Sequence, residues 1–254
     1  MKKYIFTLLI ILICIILFVS VYLIKFSDND IEPFYDYNDI KPRLKTGDII
    51  FFTYRKFDSV INNVCYKIRT NTLNTIYGHV GIIYRNNNKI YIVESCNSDQ
   101  CGYSYAKSLN NKKKGGIRII DMDLYLNDYS EIYHGMFAVK FISKEIPSDI
   151  FLKSLHKYKD AIFPSSKDFS RIFLIAAIDL FVSNNMALSM TNNLKNDTII
   201  CTEAVYQLLN DCGVLKKYSR KMIWPNFFTH NKFNSMLTNG YSFSNLHKFK
   251  FPKK

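Results

Sequence analysis

His79 opens the apolar run Gly78-His79-Val80-Gly81-Ile82-Ile83, and Cys201 opens the amphipathic run Ile200-Cys201-Thr202-Glu203-Ala204-Val205-Tyr206. Together they have the residue types for covalent chemistry on a carbonyl. A cysteine attacks as its thiolate, and an adjacent imidazole, together with the partial positive charge of a helix N-terminus, stabilises that anion. Base first and nucleophile second is the order in which this chain would encode such a pair.

Two strands and a helix must deliver these groups. Residues 80–84 and 90–93 are rich in β-branched and aromatic side chains and flank the polar stretch Arg85-Asn86-Asn87-Asn88-Lys89, which predicts a hairpin. A loop over 85–88 pairs Tyr84 with Lys89 and sets His79 directly opposite Glu94 on one face. A loop one residue shorter or longer separates them, because strand side chains alternate between faces. Asp197 and Thr198 supply the cap, and Gly213 the stop, for a helix over 199–212. Cys201 then lies in the first turn, where unpaired backbone N–H groups favour a thiolate and can hold a developing oxyanion.

Around this pair, Gly47-Asp48 is a turn signal before the apolar strand 49–52, and 57–70 reads as a short helix with Val60, Ile61, Val64 and Ile68 on one face. Further strands are expected at 116–121 and 136–142, and helices at 148–158 and 168–183. The apolar part of that last helix is too short to span a bilayer and carries Asp179, so it reads as a packed core helix.

The four segments Gly-Asp-Ile-Ile-Phe-Phe (47–52), His-Val-Gly-Ile-Ile (79–83), Ile-Val-Glu-Ser (92–95) and Cys-Thr-Glu-Ala-Val-Tyr (201–206), in that order, resemble the permuted NlpC-type papain-like thiol hydrolases. That superfamily includes YiiX-like amidases, lecithin:retinol acyltransferase relatives and poxvirus members. The resemblance covers roughly residues 44–230. It implies an α+β, circularly permuted papain-like fold with an antiparallel sheet packed against helices. It also implies Cys201 as nucleophile, His79 as general base and Glu94 as the residue that orients the imidazole, with no metal or organic cofactor. Glu203 matches the acid of the family's Cys-Ser/Thr-Glu signature, for which a structural role is expected. Gly78 and Ala204 depart from the commoner Ser and larger aliphatic residue, and neither departure removes a reactive group. The long insertion between Pro147 and Asp197 reshapes any substrate cleft.

At 254 residues the chain holds one sizeable domain with an appendage. Residues 4–24 are uncharged and almost wholly apolar, and as a helix they would extend about 31 Å, near the thickness of a bilayer core. A retained transmembrane anchor is favoured over a cleaved signal peptide, because the run exceeds the usual ~7–15 residues and no small-x-small site follows. Lys2 and Lys3 favour a cytoplasmic N-terminus and an extracytoplasmic catalytic domain. The expected organisation is a cytoplasmic end and anchor over 1–25, a tether over 26–43, the hydrolase domain over 44–230 and a basic tail over 231–254.

The net charge of +13 clusters at Lys112-Lys113-Lys114, Lys216-Lys217, Arg220-Lys221 and the last residues, which suits an anionic lipid surface or another polyanion. Nucleic acid is disfavoured, since neither zinc-finger spacing, an RNP-like motif nor a basic recognition helix occurs. Six cysteines in a chain this long do not make a disulfide framework. Cys96 and Cys101 could close a small loop in an oxidising compartment, and Cys-x-x-Cys zinc spacing is absent. The expected substrate is an amide or ester in a peptide or lipid. The competing reading from another class is a non-catalytic, membrane-anchored binding or assembly module that retains the fold.

Overall fold

The computed structural model describes residues 35–53, 75–96, 115–130, 136–164, 198–217, 225–229 and 231–252. In chain order these form β1 (Tyr35–Asp36), α1 (Tyr37–Ile40), a 3-10 turn (Lys41–Arg43), β2 (Ile49–Thr53), β3 (Tyr77–Asn86), β4 (Lys89–Cys96), β5 (Gly116–Asp121), α2 (Met122–Ser130), β6 (Met136–Lys140), α3 (Ser148–Lys157), α4 (Cys201–Asp211), α5 (Pro225–Thr229), α6 (Asn231–Asn234) and β7 (His247–Lys250). The architecture is α+β, a seven-stranded sheet in the order β1-β7-β6-β2-β3-β4-β5 packed against helices. β1 joins β7 in parallel, and the other neighbours are antiparallel.

Alternation along the strands divides the core in two. Ile49, Phe51, Val80, Ile82, Val93 and Ala138 face one side, where α4 contributes Ala204, Val205, Leu208 and Leu209 and α3 contributes Phe151. Ile50, Phe52, Ile83, Ile92, Phe137 and Val139 face the other, beneath Tyr37, Ile40, Leu44 and the α2 residues Tyr125, Leu126 and Tyr129. A strand covered on both faces should be continuously apolar rather than alternating. β2 is that strand, with Ile49, Ile50, Phe51 and Phe52 all fully buried. Each such side chain contributes about 1.5–3 kcal/mol by leaving water.

The hairpin turn is tighter than the sequence suggests. Asn86 pairs with Lys89 and Tyr84 with Tyr91, so Asn87 and Asn88 alone form the turn. Asn87 takes φ +53°, a left-handed conformation that asparagine tolerates better than most residues. The register thus moves by two residues, which preserves strand parity. Continued past Ile82–Val93, it sets Gly81 rather than His79 opposite Glu94. His79 and Glu94 still share a face, as diagonal rather than direct neighbours.

The division at residue 230 does not mark an edge of the fold. β7, in the segment expected as a basic tail, lies between β1 and β6, and Phe249 is buried while Lys250 is exposed. Its alternation of charged and aromatic residues is a strand pattern that the high lysine content conceals. His247, the first residue of this strand, packs its ring at a tilt against those of Tyr35 and Phe141, each 5.1 Å away. Residues 35–43, within the segment expected as tether, also belong to the domain, since β1 pairs with β7 and Tyr37 is buried.

Among the described residues no helix is long and apolar enough to cross a membrane. The expected span over 4–24 and the expected helices over 57–70 and 168–183 lie outside the described residues.

Candidate active site

β3 and β4 bring the first two candidate residues together. His79 Nε2 lies 2.5 Å from Glu94 Oε2, with Glu94 fully buried and His79 14% exposed. Phe52, the register partner of His79 on β2, packs its ring 5.3 Å from the imidazole and limits its rotation. With Nε2 taken by the carboxylate, Nδ1 is the nitrogen left to face another group.

That group is Cys201. The thiol is free and partly exposed at the first residue of α4, and it stands near enough to the His79 ring to raise the pKa of that ring. The way α4 begins differs from the expected cap. The residue before the helix is Ile200, in extended conformation and without a side-chain cap. Thr198, expected to cap, instead bridges in parallel to Ile162, and the Ile199 N–H donates to the Ile162 carbonyl at 2.9 Å. The chain thus enters the helix from a strand-like pairing. At the other end Gly213, at φ +73°, stops the helix as expected: its N–H bonds the Asn210 carbonyl and that of Val214 the Leu209 carbonyl.

Ser95 completes the docking of this helix start. Its buried hydroxyl donates to the Ile199 carbonyl at 2.6 Å. Adjacent strand residues face opposite sides. Glu94 therefore reaches the imidazole while Ser95 holds the segment leading into Cys201, and one strand fixes both partners of the histidine.

Two residues that the sequence did not single out surround the carboxylate. Arg118 on β5 donates to Glu94 Oε1 from Nε at 2.8 Å and from Nη2 at 2.5 Å. Tyr125 on α2 donates its hydroxyl to Oε2 at 2.5 Å. Burial alone would raise the Glu94 pKa, but the Arg118 guanidinium and then the His79 ring outweigh it and hold the carboxyl down at about 2. For His79 burial opposes the charged ring, yet Cys201 and then Glu94 overcome that and raise it to about 10. The site stabilises an imidazolium beside the Glu94 carboxylate.

The other candidates have different surroundings. Glu203 acts near Tyr158, whose phenol is raised by burial first, then by Asp211, and to a lesser degree by Glu203. Cys212, at the far end of α4, is pushed up to about 11 by burial. Cys96 is disulfide-bonded. Among the described residues no group of three His, Cys, Asp or Glu side chains could hold a metal ion. Arg118 had a faint signal as a lone charge inside Ile117-Arg118-Ile119-Ile120, whereas Tyr125 lies on a helix that the sequence pattern did not reveal.

Fold and cluster together define an α+β protein in which a buried carboxylate–imidazole pair meets a cysteine at a helix start. No protein-family model matches the chain. It is 37% identical over 217 residues to the uncharacterized protein R372 of Acanthamoeba polyphaga mimivirus, across 85% of this chain and 86% of that protein, and it belongs to the same family. Among solved structures it is similar to the metalloprotein yiiX from Escherichia coli O157:H7, DUF1105, with a TM-score of 0.34 and 15% identity, covering 68% of this chain and 71% of that one. At that distance none of the neighbour's chemistry transfers to this chain.

Proposed function

We propose that the chain is a membrane-anchored cysteine hydrolase acting on an amide or ester through a Cys201-His79-Glu94 triad. The observation that supports this most is the placing of one imidazole between a buried carboxylate and a free thiol at a helix start. In this mechanism the Cys201 sulfur bonds to the substrate carbonyl carbon while the imidazolium keeps the proton. Backbone N–H groups in the first turn of α4 receive the developing oxyanion. His79 then gives its proton to the departing amine or alcohol, leaving a thioester on Cys201. Water attacks that thioester as His79 takes its proton, releasing a carboxylic acid and restoring the thiolate–imidazolium pair. Glu94 fixes the ring tautomer and stabilises its cation throughout.

The organisation of the remainder fits the same reading. Residues 4–24 form the anchor, the N-terminus is cytoplasmic and the domain lies on the other side. The net charge of +13 draws the chain to anionic lipid, which favours a membrane-associated peptide or lipid conjugate as substrate. Incubating full-length protein with a thioester-forming acyl probe tests the reaction. A hydroxylamine-labile adduct on Cys201, absent from Cys201→Ala, is expected. Equal labelling of both proteins would overturn the hydrolase in favour of a binding or assembly module.

A further inference from the structure

We infer that Arg118 and Tyr125 are positioning residues of this site, which keep Glu94 ionised and aim its Oε2 at His79 so that Nδ1 faces Cys201. This inference rests on the hydrolase proposed above and assigns each carboxylate oxygen a task. Arg118 occupies Oε1 with its Nε and Nη2 hydrogens, and Tyr125 shares Oε2 with His79. The carboxylate cannot turn without breaking one of these bonds.

Charge balance also calls for Arg118. Thiolate, imidazolium, Glu94 carboxylate and Arg118 guanidinium sum to zero when Cys201 and His79 are paired as ions. Without Arg118 the same cluster would carry a net negative charge around a fully buried carboxylate. With a single imidazolium left to serve both anions, the fully buried carboxylate is driven toward protonation. A protonated Glu94 would no longer support the imidazolium.

Tyr125 packs edge-on against Phe52 at 5.5 Å and against Tyr129 at 4.3 Å, and Phe52 also packs on His79. One aromatic side chain therefore braces both the tyrosine that holds Oε2 and the imidazole that receives its bond. Position and charge are set by side chains that need not touch substrate.

The test is the titration of the His79 ring by NMR in full-length, isotopically labelled protein in detergent micelles, with His79→Asn used to assign the signal. Arg118→Met is expected to lower the ring's midpoint by about 1–3 pH units, Arg118→Lys to restore part of that shift, and Tyr125→Phe, which leaves Arg118 in place and frees Oε2 for the imidazole alone, to raise it by a smaller amount. An ion pair that merely ties β4 to β5 would reduce thermal stability and leave the midpoint in place. Should Arg118→Met fail to fold, Tyr125→Phe, which removes one oxygen, carries the test. An unmoved midpoint in folded variants, with acyl labelling of wild-type Cys201 intact, overturns this inference alone. A shifted midpoint with no labelling of wild-type Cys201 overturns the hydrolase reading and leaves the carboxylate clamp standing.

Discussion

Glu94 and Arg118 are direct register partners on β4 and β5, both buried, and the guanidinium covers the carboxylate oxygen that the histidine does not use. Two charges in the core are tolerable only as a matched set, since removing one partner leaves the other uncompensated. Glu94→Gln is therefore expected to destabilise the fold by about 3–5 kcal/mol. Urea unfolding measures the loss, and a change below 1 kcal/mol, taken as roughly the level of a surface pair, would contradict it.

Stability should also depend on pH with signs set by three groups. His79 is raised from 6.5 to about 10, so its contribution is complete below 6.5 and is lost as pH rises toward 10. Glu94 is lowered from 4.5 to about 2, so its contribution is complete above 4.5 and disappears as pH falls toward 2. Asp48 acts in the opposite sense to Glu94. Burial outweighs the Lys45 and Ile142 amide bonds and raises it from 3.8 to about 7, so its ionisation removes stability across that interval. Thermal midpoints should thus peak on the acid side of neutrality and decline between 6.5 and 10. His79→Gln should flatten that decline, and an alkaline limb identical to wild type would refute the assignment.

Ser95 links the sheet to the nucleophile through one bond to the Ile199 carbonyl. Ser95→Ala is expected to cost about 1 kcal/mol and to slow modification of Cys201, because the helix start loses its tie to β4. The comparison to make is the labelling rate of Cys201 against that of Cys212. An unchanged ratio would leave Ser95 with a packing role only.

What was legible in the sequence follows from which interactions are local. Alternation and turn residues revealed β2 through β6, and Gly213 revealed the end of α4, because strand parity and a left-handed helix stop are properties of neighbouring residues. The hairpin pattern puts His79 and Glu94 on one face even though the turn is two residues shorter than it suggests, since a register change of two residues leaves parity intact. Arg118 and Tyr125 were not legible as site residues. Their meaning comes from pairing between β4 and β5 and from packing of α2, contacts that no local pattern encodes. β7 was obscured because charged residues flank its buried Phe249, and net charge is a weaker guide to burial than alternation.

Backbone conformation gives a further prediction. Gly47 holds φ +106°, and a Cβ there would meet Ile146 Cδ1 at 2.8 Å. Gly213 holds φ +73° with only Asn239 nearby, at 3.2 Å. Gly213→Ala should cost about 1–2 kcal/mol from the left-handed backbone, and Gly47→Ala should cost more because strain and overlap combine. Thermal unfolding of the two variants gives the order, and the reverse order would contradict the turn geometry at Gly47.

The most direct test of the thiolate–imidazolium account is the iodoacetamide reaction at Cys201, read by mass spectrometry at about pH 6, where an ordinary thiol is scarcely ionised. Cys212, pushed up to about 11 by burial, serves as the reference within the same molecule. Cys201 is predicted to react far faster than Cys212, and His79→Asn to reduce that advantage by about 10²-fold or more. Equal rates at the two cysteines, or a fast Cys201 that does not depend on His79, would contradict the account.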